Sequence, residues 1–472
     1  MPSSLNQQLR QLRNAIVNKP PYRSGTIPVT KNELVVYYSK GEDENAHRIN
    51  LGTASADSLE HLAQTCDAAT FGRDDEDVLD ESYRKARKLD IPNFSVGLGV
   101  ETNGLMDVVR GQLLEGREAQ QSIYAELYKL NVYGEGSFFK AHVDTPRGGT
   151  MFGSLVVIYP TPHEGGSLIF RDGTNEWSFD SAQAIKTSSV TNPCVAYAIF
   201  FSDVEHEVTR VMSGHRVTVT YNLYFMEPAA LRTASLTLPA ASPDTHGGML
   251  AFNSVLQEFL QDENFLPEGG YLGFGLRRVY PLEKSSTPLK VRPVSWLSAT
   301  HETLRLSLSR LIQCLKGSDA DVLQACTALG LHASLWMLFT EKDGDRATSV
   351  LLPSAPAIEG SRFDSFHVME ELATMRRAKR IPPVDLSKDD EDDDVPAGRV
   401  TRASEKAQKK RESEFDMKIH WVTKPTDFNM VKNSVVAHGN EPCIGYAYGY
   451  ISMIVQVGKP GERSTVNEPT VS

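Results

Sequence analysis

Three side chains able to ligate a metal, His142, Asp144 and His206, are followed by a cation of fixed charge, Arg216. Two imidazoles and one carboxylate are the set that holds a non-haem Fe(II) while leaving coordination positions open. Open positions admit a co-substrate and oxygen. An arginine grips a carboxylate through two parallel hydrogen bonds and stays charged at any working pH. Buried near a metal it would be costly without an anion beside it, so Arg216 points to an acidic co-substrate with a far-end carboxylate. Two alternatives stand beside this reading. Arg216 could pair with an acid of the chain itself, Glu205 or Glu207, and His215 is a competing cation, weaker because it can be neutral at pH 7. Zinc is an alternative metal, but three ligands without a fourth suit an open catalytic site better. A cupin-type manganese or iron site would want more histidines close to the first.

His-x-Asp by itself is a weak signal, since twelve histidines in a chain of ordinary composition yield about one by chance. The surrounding elements strengthen it. From residue 124 the sequence becomes short apolar runs punctuated by Gly, Pro and Asp. Strands are expected at 125–134, 137–144, 150–160, 166–173, 175–180, 193–203, 206–211 and 215–225. Eight such strands suggest a double-sheet jelly roll. His142 and Asp144, at i and i+2 near a strand end, would share a face. Asp144 is followed by a Thr-Pro-Arg-Gly-Gly loop, and His206 opens a strand after an apolar one. Strand ends of this kind can converge at one mouth. Tyr133 could present its hydroxyl to a co-substrate carboxylate, or pack as a core tyrosine. Phe139 reads as core packing, His163 as an exposed turn residue, and Glu164-Gly165-Gly166 as a turn.

The rest of the chain frames this segment. The expected fold class is α+β: a double-stranded β-helix (jelly roll) core, supporting N-terminal helices and a mixed C-terminal region. Residues 1–123 read as a helical and extended support region. It has one helix at 5–17, packed on the main body, and others through 78–88 and 103–116. Residues 124–228 are the jelly roll. Residues 229–384 are a helical region, with helices at 249–262, 302–316, 319–329 and 366–380. Residues 385–412 are a charged insertion of disordered character, and 413–472 are C-terminal strands and a tail. Composition is that of a soluble globular protein, 40% hydrophobic and 23% charged, with a formal net charge of −11. That balance argues against a general nucleic-acid surface. No apolar run is long enough for a membrane span. The N-terminus lacks a secretory pattern, and five scattered cysteines read as free thiols. An intracellular, cytoplasmic setting is expected, and two basic runs at 375–380 and 406–411 leave a nuclear address open. Oligomeric state is not legible.

Over roughly 124–226 the chain resembles the iron(II)- and 2-oxoglutarate-dependent dioxygenases, and among them the prolyl 4-hydroxylase-like branch. The motifs that carry this are Tyr133-x-x-Gly136-x-Phe138-Phe139-x-x-His142-x-Asp144-Thr145, Glu164-Gly165-Gly166-x-Leu168-x-Phe170, His206-Glu207-Val208 and Gly214-x-Arg216. The resemblance implies Fe(II) held by His142, Asp144 and His206, with 2-oxoglutarate and O2 as co-substrates and ascorbate as a candidate accessory. Arg216 would bind the distal carboxylate, and Tyr133 is a candidate contact. It implies hydroxylation coupled to formation of succinate and CO2, on a protein or peptide side chain, with proline the residue that the branch suggests. Collagen-type enzymes have lysine where this chain has Arg216, whereas the oxygen-sensing type has arginine. Tyr159 lies on a strand whose cavity-facing residues the sequence does not define. Oxidative demethylation of nucleic acid, small-molecule hydroxylation and a non-enzymatic binding role on a retained jelly roll are the alternatives.

Overall fold

The computed structural model describes residues 4–16, 19–41, 45–73, 76–114, 121–144, 150–188, 192–226, 247–280, 308, 311–343, 346–353, 362–363, 368–375, 377–386, 415–438 and 442–463. The chain divides into two compact units. One comprises residues 19–245, the other residues 1–18 together with 246–472.

The 19–245 unit is built on two antiparallel sheets. Among the described residues the larger has seven strands in the order Tyr22–Pro28, Cys194–Phe201, Met151–Ile158, Arg216–Phe225, Ile123–Tyr133, Arg87–Asp90 and Asp67–Ala68. The smaller has five: Asn175–Phe179, Leu168–Asp172, Glu205–Val208, Phe138–His142 and Arg84–Lys85. Together they form the jelly roll, within an α+β molecule. Every residue of Cys194–Phe201 is buried, because each face of that strand is covered. The helix Leu105–Val108, continued by a π-turn through Leu113, packs behind it and behind Tyr22–Pro28. The strand Arg216–Phe225 divides its faces by the period of two. Arg216, Thr218, Thr220 and Asn222 face a cavity, while Val217, Val219, Tyr221 and Leu223 are buried on the opposite side.

Several local expectations change here. The eight expected strands are all present, but the 137–144 strand ends at His142, so Asp144 stands beyond the ladder. Residues 78–88, read as a helix, instead supply turns and the short strands Arg84–Lys85 and Arg87–Asp90. Their charge pattern is helix-like, yet edge pairing to Phe138–Phe139 and to Leu130–Val132 takes over. The Glu164-Gly165-Gly166 turn contributes a two-stranded ladder, His163–Gly165 against Val211–Gly214. The helix Ser181–Ser188 was not anticipated.

The other unit centres on a sheet in the order 362–363, Met430–His438, Pro442–Val457, His332–Asp343, Arg346–Leu352 and Lys379–Ile381. Gly270–Gly275 pairs antiparallel with Pro442–Val457 and parallel with Ile419–Thr423. The N-terminal helix Leu5–Ala15, capped by Ser4, belongs to this unit rather than to the jelly roll. Its Leu9 and Leu12 join Phe252, Leu256, Leu272 and Met453 in one core. Amphipathic spacing marks the buried face of a helix and does not say which surface covers it. The run 375–380 is not helical throughout. The helix stops at Thr374, Arg377 has φ 68°, and Lys379 begins a strand. The charged insertion falls almost wholly outside the described residues, as does most of the 302–316 helix. No helix among the described residues is long and apolar enough to cross a membrane. Cys66, Cys194, Cys314 and Cys326 form no disulfide among the described residues.

Candidate active site

The two sheets of the 19–245 unit enclose a cavity of about 700 Å³. His142 closes its strand and pairs across the ladder with His206 of Glu205–Val208. This register brings the two imidazoles together, with ring centroids 4.2 Å apart. Asp144, two residues past the strand, brings Oδ1 to 3.8 Å from His206 Nε2. One ligand atom from each of the three residues lies within 4.8 Å of the others. This is the one cluster of three or more metal-ligating residues among those described.

The donor chemistry fits a divalent metal ion. His142 Nδ1–H donates to the Lys140 carbonyl at 2.8 Å, and His206 Nδ1–H to the Val204 carbonyl at 3.0 Å. A carbonyl only accepts, so each bond assigns the proton to Nδ1 and leaves the Nε2 lone pair for a metal. Burial, with His206 and Arg84 adding to it, holds the His142 imidazole neutral well below its usual range. Neutral imidazole is the ligating form. Asp144 Oδ2 accepts a 2.6 Å hydrogen bond from Ser154 Oγ, which leaves Oδ1 on the side of His206.

Arg216 begins its strand opposite Tyr133. It is 1% exposed, and its Nε and Nη2 find no hydrogen-bond partner among the described residues. Burial pushes its guanidinium down to about 10. The sequence-level alternatives for its partner do not hold, because Glu205 and Glu207 turn to Arg171, at 3.5 and 3.0 Å. His215, the competing cation, meets Glu60 at 3.2 Å and does not line the cavity. Tyr133 does line it, buried, with its ring 5.5 Å from the Arg216 guanidinium. Gly166 explains how so large a side chain fits. A Cβ at that position, where φ is +69°, would stand 2.7 Å from Arg216 Cδ. Tyr159 is buried outside the cavity lining, and Met151, Ser154 and Val156 are the residues of the strand before it that reach the cavity. His163, expected to be exposed, is buried, with Nδ1–H donating to the Thr161 carbonyl at 2.7 Å.

Two residues of this arrangement carried no sequence signal. Ser154 is one. The other is Arg84, which donates to the Thr70 carbonyl at 2.7 Å and to Asn131 Oδ1 at 2.8 Å. Its guanidinium lies 4.3 Å from the centre of the Phe139 ring. Phe139 in turn stacks on His142 at 3.5 Å. Core packing, the role read for Phe139, here means packing against a candidate metal ligand.

Residues 128–224 match the model of the 2OG-Fe(II) oxygenase superfamily. The chain thus carries a domain of that family, a dioxygenase class of oxidoreductase that draws on Fe(II), 2-oxoglutarate and O2. Among solved structures, a prolyl-4-hydroxylase from Pseudomonas putida is 15% identical, with 48% of this chain and 100% of that one covered at a TM-score of 0.24. A prolyl hydroxylase from Trichoplax adhaerens, in complex with a hypoxia inducible factor oxygen degradation domain peptide fragment, is 15% identical over 49% of this chain and 94% of that one, at a TM-score of 0.28. A viral collagen prolyl hydroxylase from Paramecium Bursaria Chlorella virus-1 is 11% identical over 37% and 93%, at a TM-score of 0.22. No curated protein sequence matches the chain.

Proposed function

We propose that the jelly roll is a prolyl-hydroxylase-like dioxygenase that hydroxylates a protein side chain. His142, Asp144 and His206 would hold Fe(II), and Arg216 would bind the distal carboxylate of 2-oxoglutarate. The observation that carries this reading is the pairing of a three-ligand cluster with a buried guanidinium whose Nε and Nη2 lack partners among the described residues, on the wall of one cavity. Fe(II) so bound supplies the oxidative chemistry that couples decarboxylation of 2-oxoglutarate to substrate hydroxylation. The chain's own part is to position and to exclude water. Carbonyl-fixed imidazoles present Nε2, and Ser154 steadies Asp144. Arg216 offers charge-assisted hydrogen bonds that cost no rearrangement when an anion arrives. Tyr133 stands beside it as a second candidate contact.

Two features support a polypeptide substrate. The cavity is larger than a five-carbon diacid requires, so a substrate side chain has room beside the co-substrate. Its wall beyond Arg216 is hydrogen-bonding: Thr218, Thr220, Asn222 and Asn131. The net charge of −11 makes nucleic acid a poor partner. The test is succinate formation from 2-oxoglutarate with Fe(II) and O2, in the presence of proline-containing peptide pools, followed by mass spectrometry of the peptides. The expected result is a gain of one oxygen on peptide, absent in Asp144→Ala. Turnover that persists in Asp144→Ala would overturn the site. Oxidation of small molecules or nucleic acid, but not peptides, would overturn the substrate class.

A further inference from the structure

We propose that Ser154 is a positioning residue that makes Asp144 a one-oxygen metal ligand and so keeps a coordination position free. The proposal rests on the metal reading of His142, Asp144 and His206. Ser154 belongs to Met151–Ile158 of the larger sheet, whereas His142 and His206 belong to the smaller one. It is 1% exposed and reaches the cavity wall. Its hydroxyl donates to Asp144 Oδ2 at 2.6 Å, a short, charge-assisted contact.

Asp144 needs such support. His142 and His206 are held by ladder register and by their own Nδ1 bonds, but Asp144 lies past the end of its strand. A carboxylate free at both oxygens can turn to grip a metal with the pair of them. One oxygen engaged by a hydroxyl leaves the other as the better ligand, and here that other is Oδ1, facing His206 Nε2 at 3.8 Å. The count of positions makes the difference matter. Around an octahedral ion, three single-atom ligands leave three positions open, while a chelating carboxylate leaves two. A co-substrate that binds through two atoms would fill both. The Ser154 hydroxyl therefore guards the third position by acting through Asp144.

Co(II) is the probe, added to the full-length apo protein. Affinity is read from its visible d–d absorption, and the number of oxygen neighbours from X-ray absorption at the cobalt edge. Ser154→Ala is expected to weaken Co(II) binding by roughly 10-fold or more, within the range for lost outer-shell partners. It should also change the d–d band and add an oxygen neighbour as Asp144 chelates. Ser154→Thr, which retains the hydroxyl, should keep the wild-type affinity and band. If Ser154→Ala fails to fold by circular dichroism, Ser154→Val against Ser154→Thr makes the same comparison at equal shape. Wild-type affinity and band in the hydroxyl-free variant would overturn the proposal and leave the metal site standing. A wild-type protein that takes up no Co(II), or an Asp144→Ala variant that binds it unchanged, would remove the metal reading itself.

Discussion

Among the described residues Arg216 Nε and Nη2 find no partner in a fully buried position, a cost that an anion in the cavity would offset. Arg216→Ala should raise the apparent KM for 2-oxoglutarate, because a lost bidentate charged contact costs on the order of 2–4 kcal/mol. Initial-rate measurements of succinate formation check this, and an unchanged KM would move the anchor elsewhere. The same burial predicts an opposite effect on the empty protein. Arg216→Met replaces a buried cation by an apolar chain of similar length, so the apo form should melt higher while 2-oxoglutarate no longer raises its Tm. Thermal melts with and without 2-oxoglutarate test both halves. At this scale His142, Asp144, His206 and Arg216 are legible in sequence as candidates because their chemistry is specific. Ser154 and Arg84 are not. Serine and arginine are common, and their partners Asp144 and Asn131 are joined to them only by sheet packing.

Strands and turns set what those side chains can reach. The Gly165-Gly166 turn, with φ of +75° and +69°, gives Arg216 the space that a Cβ would occupy. Gly166→Ala should therefore weaken 2-oxoglutarate binding while Co(II) affinity stays near wild type, since no metal ligand lies on that turn. Calorimetric titration with each ligand separates the two, and equal losses would mean general unfolding. The jelly-roll strands were legible because alternation and Gly/Pro punctuation are both strong over 124–226. The Arg84–Lys85 strand was not. At two residues it has no periodicity to read, and only its neighbour Phe138–Phe139 makes it a strand. The Leu5–Ala15 helix was legible as a helix, but not in its allegiance. Leu12, fully buried in the core of the 246–472 unit, should cost about 2–5 kcal/mol on Leu12→Ala. Denaturant unfolding followed by hydrogen exchange should place that loss in the 246–472 unit and spare the jelly roll.

The described candidate site residues all lie within 19–245. A fragment of those residues should bind Co(II) with the affinity of the full chain, as measured by calorimetry. Much weaker binding would give the remaining residues a part in forming the site. In the other unit, burial, and to a lesser degree Lys418, pushes the His420 imidazole down to about 4. Below about pH 6.5 the unfolded chain takes up a proton that folded His420 refuses until near pH 4. Its contribution to stability is therefore complete above that window and lost as pH falls through it. His420→Gln should flatten the pH dependence of unfolding relative to wild type between those two values. An identical slope in both proteins would show that other groups dominate.

Side-chain chemistry and local periodicity, both readable along the chain, marked the candidate metal ligands, the candidate anchoring cation and the strands of the jelly roll. Contacts between segments far apart in sequence belong to the tertiary structure alone. Folding turned Glu205 and Glu207 toward Arg171 and so left Arg216 without an acid partner among the described residues. It set Ser154 against Asp144, drew Tyr22–Pro28 and Arg87–Asp90 into the larger sheet, and gave the first helix to the second unit. The physical reason is that periodicity reports which face of an element is buried, whereas the partner covering that face is chosen by packing and hydrogen bonding across the whole fold.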